Sequence, residues 1–250
     1  MDGPMTRRTP VLVALLALLL ALPTTGTLAE TGSPAPQGAV GPPPAPIETN
    51  GADRVAEIMA GMSRRQKVGQ LFMSRVYGYR AKEPAPGAVR SNEAHLGVAD
   101  ARELFERFPV GSVVYFAHAG NLQHPEQVAR LSNGIQRAAL ETGTMPVLIS
   151  TDQEHGIIER LGPPATRFPG SMALGATRDR DLARAAARVT GEDLRAVGIH
   201  QDLAPVADVN SDPANPVIGV RSFGSKPGLV SSMTAAQVRG FQDDAQVAAT

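Results

Sequence analysis

The chain has 250 residues, of which 19% are charged, and its 24 basic and 24 acidic side chains give a formal net charge of zero. The basic residues are scattered and form no stripe, so the sequence gives no indication of a nucleic-acid partner. There is no cysteine, which excludes a disulfide framework and a lipid anchor on a cysteine. With 42% of its residues hydrophobic, the chain can build one sizeable core.

Residues 1–29 are typical of a secretory signal peptide. Arg7 and Arg8 precede an unbroken apolar run from Val11 to Leu22, and Thr27-Leu28-Ala29 is a small-x-small cleavage pattern. The apolar run is shorter than the ~20 residues that a bilayer-spanning helix needs. We therefore expect an exported protein without a stable membrane anchor.

Residues 30–52 are rich in Pro, Gly, Ala and Thr, with Pro42-Pro43-Pro44 near the centre. Such a segment cannot bury enough apolar surface to offset its loss of conformational entropy, so it is predicted to be a disordered linker. We expect the folded part to be a single domain that covers residues 53–250.

Helical and extended periodicities alternate along the folded part. Helices are predicted at Asp53–Met62, Val98–Phe108, from Pro125 to Gly143, around Leu182–Leu194 with a stop at Gly198, and from a Ser225 cap with Pro227 just inside to about Asp243. Strands are predicted at Val68–Val76, Gly111–Phe116, Pro146–Ser150, within Ile199–Val209, and at the start of a fifth strand at Val247–Ala249.

This alternation predicts an α/β fold of right-handed βαβ units around a parallel sheet. A doubly wound sheet would carry a glycine-rich phosphate turn after its first strand, and the sequence has none there. We therefore predict a (β/α)8 TIM-type barrel, of which only about the first four to five βα units are present. A partial barrel leaves free sheet edges, so we interpret the chain as a fragment and expect it to aggregate or dimerise on its own.

Ionisable residues crowd the end of the third predicted strand, in the stretch "STDQEHGIIERL". Asp152 follows the strand directly, and Arg160 lies eight residues further on. A carboxylate accepts hydrogen bonds from sugar hydroxyls, while a guanidinium offers a fork of donors, so this pair suits a polyhydroxylated ligand. The alternative is a partly exposed ion pair that adds little stability.

The loop after the fourth predicted strand is long and polar. Its Asp and Asn residues are expected to cap turns, because they lack the ligand register of a calcium loop; they are Asp208, Asn210, Asp212 and Asn215. Arg221 is different, since the following Ser222-Phe223-Gly224 would fix its approach to a pocket.

The histidines do not indicate a metal site. Only His155 and His200 lie near strand ends, and neither has a partner at a metal-binding spacing. We expect no metal and no organic cofactor, and the sequence has no serine-centred nucleophile elbow.

Five segments occur in an order that resembles the N-terminal barrel of glycoside hydrolase family 3. They are "MSRRQKVGQLF" (62–72), "LISTDQEHG" (148–156), "RFPGSMALGAT" (167–177), "LAPVADV" (203–209) and "NPVIGVRSFG" (215–224). The Asp-Gln-Glu and the last segment resemble the β-N-acetylhexosaminidase branch more than the β-glucosidase branch. His155 departs from this, because the hexosaminidase branch usually has a glycine there and the glucosidase branch often has His-Gly.

The resemblance implies that Asp152 binds hydroxyls of the terminal sugar and that Arg160 and Arg221 line the same pocket. Glu154, His155 and Glu159 inherit no catalytic role from it, and we expect Glu159 to orient Arg160. The family's aspartate nucleophile and histidine acid/base follow a Lys-His-Phe-Pro-Gly-His-Gly motif, so we expect both residues beyond Thr250 and assign no catalytic residue within this chain.

The sequence thus predicts part of an exo-acting, retaining glycoside hydrolase that removes terminal β-linked N-acetylglucosamine, with a carbohydrate as its partner. Two alternatives stay open: a β-glucosidase-like hydrolase of the same family, and a non-catalytic glycan-binding fragment. We expect the 250 residues alone to be inactive, because a retaining mechanism needs two groups flanking the glycosidic bond.

Overall fold

Five short strands lie side by side in one parallel sheet. In the computed structural model, which describes residues 51–250, the strand order is the chain order, with each strand paired to the next. The strands are β1 (Met73–Ser74), β2 (Ser112–Val114), β3 (Leu148–Thr151), β4 (Gln201–Asp202) and β5 (Ala248–Ala249). This sequential order confirms the predicted α/β fold with the first βα units of a TIM-type barrel, since a doubly wound sheet reverses its strand order.

Eight α-helices connect or flank the strands in the described residues. They are α1 (Gly51–Gly61), α2 (Arg64–Gly69), α3 (Pro86–Leu96), α4 (Ala101–Arg107), α5 (Pro125–Glu141), α6 (Ser171–Thr177), α7 (Arg180–Ala196) and α8 (Pro227–Arg239). A π-helical turn, Gly240–Asp244, extends α8. The predicted signal peptide and linker lie outside the described residues, apart from residues 51 and 52, which begin α1.

Helices α4 and α7 begin where polar side chains satisfy the first free backbone N–H groups. Asp100 caps α4, and Asp179 caps α7 by accepting two N–H groups. At α5, Pro125 occupies the first turn, where a missing N–H costs nothing. The ends of these helices are therefore set by local sequence.

The main core lies between the helices and one face of the sheet. Ile149 of β3 is fully buried, whereas its neighbour Leu148 is 40% exposed, because alternate strand residues point to opposite faces. Helix α5 contributes Val128, Leu131 and Ile135, which are buried at the predicted three- and four-residue spacing. The helix-facing side of the sheet is thus the covered side.

Two details of the predicted start of the domain are wrong. The first strand is only Met73–Ser74, and Val68 belongs to α2. Ser63 and Gln66 form a reciprocal capping box that begins this helix, and the pattern Ser-x-x-Gln is a known start signal. The apolar residues after it favour a strand as readily as a helix, because short apolar runs have no distinctive period.

Other helix assignments also need correction. Helices α3 and α6 were not predicted, although Pro86 sits in the first turn of α3. Helix α8 begins after Lys226, which makes no side-chain capping bond, so the predicted Ser225 cap is wrong. Pro227 is inside the first turn as predicted. Its fixed backbone angle is sufficient to start the helix without a cap.

The parallel sheet brings the loops after β3 and β4 to one edge. Thr151, the last residue of β3, is in register with Asp202, the last residue of β4. The loops that follow, residues 152–170 and 203–226, therefore start side by side. In the described part of the chain, every helix is too short or too polar to cross a membrane.

Candidate functional site

Asp152 and Arg160 form an ion pair at the carboxyl end of β3. The distance from Arg160 Nη2 to Asp152 Oδ2 is 2.9 Å. Their side chains are 20% and 22% exposed, so both groups are partly shielded and still reachable from solvent. The structure thus brings together the carboxylate and the guanidinium that the sequence singled out.

Glu154 holds Arg221 through two parallel hydrogen bonds. Arg221 Nε donates to Oε2 at 2.7 Å, and Nη2 donates to Oε1 at 2.8 Å. This is the two-point geometry that makes arginine–carboxylate pairs strong and directional. Glu154 is only 7% exposed, and its carboxylate raises the pKa of Arg221. Arg221 therefore stays charged and is fixed in one orientation.

The segment that follows Arg221 is anchored as the sequence suggested. Ser222 donates its hydroxyl to the backbone oxygen of Asp208 at 2.6 Å. Phe223 is buried in a second apolar cluster, with Leu174 of α6 and Met233 of α8. Arg221 itself ends a short 3-10 turn, Gly219–Arg221. The backbone directly after Arg221 is thus held by the Asp208 carbonyl and by the second apolar cluster.

Asp152, Glu154, Arg160 and Arg221 are called the charged cluster below. The two acids are separated by one residue, and Asp152 is among the charges that raise the pKa of Arg221. The two ion pairs therefore act on each other at the same edge of the sheet. Because opposite charges alternate in it, the cluster presents both hydrogen-bond donors and acceptors to a ligand.

Gln153 lies between the two acids and points into the protein. It is almost fully buried, and its Oε1 accepts the backbone N–H groups of Arg160 at 2.7 Å and Leu161 at 3.0 Å. Its own N–H donates to Asp202 Oδ1 at 2.8 Å. Gln153 therefore ties the loop after β3 to the end of β4.

Asp202 is a fully buried carboxyl group below the charged cluster. Burial raises its pKa from the ordinary 3.8 to about 7, and the negative charges of Asp152 and Glu154 add to this effect, against the hydrogen bond from Gln153. Its Oδ2 has no hydrogen-bond partner among the described residues. Asp202 was not singled out from the sequence, although an acid within a predicted strand is a signal in itself.

His155 fastens the loop after β3 to helix α7. Its Nε2 lies 2.7 Å from Thr190 Oγ1, and that hydroxyl donates to the oxygen of Ala186. The imidazole must therefore donate from Nε2, which leaves Nδ1 to accept the N–H of Phe168 at 3.4 Å. Burial lowers the pKa of His155, so the neutral ring is the form that fits.

Glu159 does not orient Arg160, contrary to our expectation. Its carboxylate pairs with Arg167 at 2.7 Å, and Arg167 is largely exposed. Neighbouring residues along a non-helical chain point in different directions, so Glu159 and Arg160 face different partners. Arg160 is oriented by Asp152 and by the Gln153 side chain instead.

Of the four polar residues predicted to cap turns in the loop after β4, Asp212 and Asn215 do so, whereas the buried Asn210 Oδ1 has no hydrogen-bond partner among the described residues. Asp212 accepts the N–H of Ala214, and Asn215 accepts those of Val217 and Ile218. Between residues 51 and 250, no three histidine or acidic side chains are grouped to hold a metal ion.

Comparisons with known proteins agree with the sequence motifs. Residues 63–250 match the family model described as the glycosyl hydrolase family 3 N-terminal domain. "Beta-hexosaminidase A" from Pseudoalteromonas piscicida is 36% identical over 188 residues, which are 72% of this chain and 31% of that protein. "Probable beta-glucosidase C" from Aspergillus flavus is 29% identical over 198 residues, which are 77% of this chain and 30% of that protein.

A solved structure gives the same result for the fold. The glycoside hydrolase family 3 β-N-acetylglucosaminidase from Paenibacillus sp. str. FPU-7 matches with a TM-score of 0.66 and 44% sequence identity, over 75% of this chain and 32% of that chain. The chain spans 30% to 32% of the length of these three proteins. The family match covers most of the chain and confirms the resemblance seen in the motifs. The chain belongs to glycoside hydrolase family 3.

Proposed function

We propose that this chain is the sugar-binding part of an exo-acting, retaining glycoside hydrolase that removes terminal β-linked N-acetylglucosamine. The observation that carries the proposal is the charged cluster, in which Asp152 pairs with Arg160 and Glu154 pairs with Arg221 at the carboxyl ends of β3 and β4. In barrels of this type, ligands are bound by loops at that edge of the sheet.

The charged cluster has unused hydrogen-bonding capacity for a sugar. Asp152 uses Oδ2 for Arg160, and within residues 51–250 no protein group donates to its other oxygen. That oxygen is available to a sugar hydroxyl. Arg221 gives Nε and Nη2 to Glu154, and its Nη1 makes only a long bond of 3.3 Å to Val217 O. Asp152 supplies an acceptor and Arg221 a donor.

The chemistry itself is proposed to need residues outside this chain. A retaining hydrolase places a nucleophile and an acid/base on the two sides of the glycosidic bond, about 5 Å apart. Asp152 and Glu154 are each already paired with an arginine, which suits binding and not proton transfer. The aspartate nucleophile and the histidine acid/base stay predicted beyond Thr250, and the role proposed for this chain is to bind and orient the terminal sugar.

The test uses the complete gene product. The DNA after the codon for Thr250 is read first, and the protein is then assayed on nitrophenyl β-glycosides with and without the 2-acetamido group. We expect cleavage of the acetamido substrate to be preferred. Arg221→Ala should lower kcat/KM by at least about tenfold, because a charged hydrogen bond is worth roughly 1.5–3 kcal/mol. Arg137→Ala, on the exposed face of α5, is the matched control and should change little.

A β-glucosidase activity is the second candidate. His155-Gly156 and the similarity to a probable β-glucosidase support it. Preference for the glycoside without the acetamido group would establish this candidate and overturn ours. Binding of N-acetylglucosamine without any cleavage would instead favour a glycan-binding protein.

We also propose that the protein is exported. The proposal rests on the signal-like residues 1–29 and the following Pro-rich segment. Fusion of these residues to a reporter that is active only outside the cytoplasm tests it. A reporter that stays inactive and uncleaved would contradict export.

A further inference from the structure

Asp202 occupies an unusual place for an acid. It is the last residue of β4 and in register with Thr151, which directly precedes Asp152. Both Asp202 and Thr151 are fully buried. Asp202 thus lies immediately behind the charged cluster without reaching solvent or a ligand.

Asp202 is connected to the charged cluster by two successive hydrogen bonds. Its Oδ1 accepts the N–H of Gln153, which lies between the two acids of the cluster. The Gln153 side chain then accepts the backbone N–H of Arg160. The Asp202 carboxyl group therefore holds the start of the loop segment 152–160 directly and its end through the Gln153 side chain.

Stability alone does not account for an acid at this position. Its Oδ2 is buried without a partner in the described part of the chain, and a buried polar atom without a hydrogen-bond partner costs more free energy than one hydrogen bond returns, whether or not the group is charged. Asp152 and Glu154 add like-charge repulsion. What the carboxyl group does provide is a fixed acceptor for the residue between these two acids.

We propose that Asp202 is a positioning residue, which sets the relative placement of Asp152 and Arg160 through Gln153 so that both reach the same sugar. This inference rests on the proposed sugar-binding function. Asp202 itself touches no substrate. It holds the charged cluster in the binding geometry in the absence of sugar. This preorganisation lowers the free-energy cost of ordering the site and so increases the affinity.

The experiment compares three variants of the complete gene product, because the isolated 250-residue chain is expected to associate. Asp202→Ala removes the acceptor, and Asp202→Asn keeps an acceptor of the same shape. Asp179→Ala removes the cap of α7 and serves as the control for a general loss of stability, at a cost of about 1 kcal/mol. Two quantities are measured: the backbone amide NMR signals of Gln153, Arg160 and Leu161 without sugar, and the dissociation constant for N-acetylglucosamine.

We expect Asp202→Ala to weaken binding about tenfold and Asp202→Asn to stay within about threefold of the wild type. Asp179→Ala should leave the affinity unchanged. The three amide signals should move in Asp202→Ala and stay near their original positions in the other two variants.

Each alternative outcome is decisive. Equal affinity losses in Asp202→Ala and Asp179→Ala would overturn the positioning role, as would unchanged affinity in Asp202→Ala. If the wild type binds no sugar, the proposed function fails separately. In that case the amide signals still test whether Asp202 positions the loop. Chemical-shift changes in Asp202→Ala no larger than those in Asp179→Ala would refute the inference.

Discussion

Glu154 is the residue on which the orientation of Arg221 depends. The two are 67 positions apart in the chain, and the two-point bond between them joins the loop after β3 to the loop after β4. Because Glu154 is almost buried, its charge is weakly screened, and the pair is worth more than an ion pair on the surface.

We predict that Glu154→Gln weakens sugar binding about tenfold. The amide keeps the shape of the carboxylate but turns an NH₂ group toward one arginine donor, so one charge-assisted hydrogen bond is lost at a cost of roughly 1.5–3 kcal/mol. Calorimetric titration with N-acetylglucosamine measures the effect.

Glu159→Gln is the matched control. It removes the same charge from the same loop, but its partner Arg167 is exposed, so the affinity should change less than about twofold. Equal losses in the two variants would mean that overall charge, and not the placement of Arg221, governs binding.

At the scale of elements, helix α6 is packed against the segment that carries Arg221. Gly175 of α6 lies so close to Phe223 that a Cβ at position 175 would collide with the Phe223 backbone oxygen. Alanine is normally the better helix former by about 1 kcal/mol. The collision reverses this preference, because backbone cannot move aside as a side chain can.

Gly175→Ala is therefore expected to destabilise the fold by about 2 kcal/mol or more, and to displace Arg221. Urea unfolding measures the first effect, and the affinity for N-acetylglucosamine measures the second. Gly162→Ala is the control, since a Cβ at position 162 meets open space. A Gly175→Ala protein as stable as the wild type would show that the contact is looser than described.

The junction between the loop after β3 and helix α7 depends on His155 and Thr190. Thr190→Val keeps the shape of the side chain and removes the hydroxyl, which leaves the Nε2–H of His155 buried without an acceptor. We expect a loss of about 1–3 kcal/mol in the free energy of unfolding.

Ser132→Ala is a suitable comparison for Thr190→Val. Ser132 also lies in the core, but its hydrogen bond with Tyr115 is longer, at 3.3 Å. The decrease in the free energy of unfolding should therefore be smaller for Ser132→Ala. A larger loss in Ser132→Ala than in Thr190→Val would contradict the ranking.

The elements show where the sequence was informative and where it was not. The order of the strands, and of helices such as α5 that bury a periodic apolar face, was predictable. Helices α2, α3 and α6 were not predicted, because short helices offer too few turns for a distinctive period. The positions of Asp152 and Arg221 followed from their placement after strands. The pairing of Glu154 with Arg221 was not predictable, because no local pattern specifies which charges meet across two loops.

At the scale of the whole folded part, the β1 edge of the sheet carries exposed apolar side chains and has no neighbouring strand among residues 51–250. Phe72 is 58% exposed beside β1, and it lines an apolar cavity of about 370 Å³ together with Leu96 and Phe108. An unpaired edge strand next to exposed apolar side chains favours association between copies.

We predict that the isolated 250-residue chain associates and that Phe72→Lys reduces this association. The lysine places a charge at the edge, which is how natural sheets avoid edge-to-edge pairing. Analytical ultracentrifugation measures the change. Leu140→Lys is the control, because Leu140 is also 58% exposed but lies at the end of α5. If both variants reduce the association equally, the added net charge, and not its position at the sheet edge, explains the effect.

Two buried groups make the stability of the whole fold depend on pH in opposite directions. Burial lowers the pKa of His155, so below its ordinary value of 6.5 the unfolded chain takes up the proton first, and stability falls with falling pH. The pKa of Asp202 is raised from 3.8 to about 7. The folded chain therefore keeps a proton that the unfolded chain releases, and stability falls as the pH rises from about 4 to 7.

Asp202→Asn should remove the second effect. A difference of about 3 between the two pKa values of Asp202 corresponds to roughly 4 kcal/mol, so the variant should gain up to that amount over the wild type between about pH 4 and pH 8. Urea unfolding at several pH values measures it. His155→Asn, which tolerates the positive φ of position 155, removes the contribution of His155, while His200, whose pKa is also lowered by burial, still contributes in the same direction. Parallel pH curves for the wild type and Asp202→Asn would mean that Asp202 is ionised throughout, and that its hydrogen bond with Gln153 outweighs both burial and the charges of its neighbours.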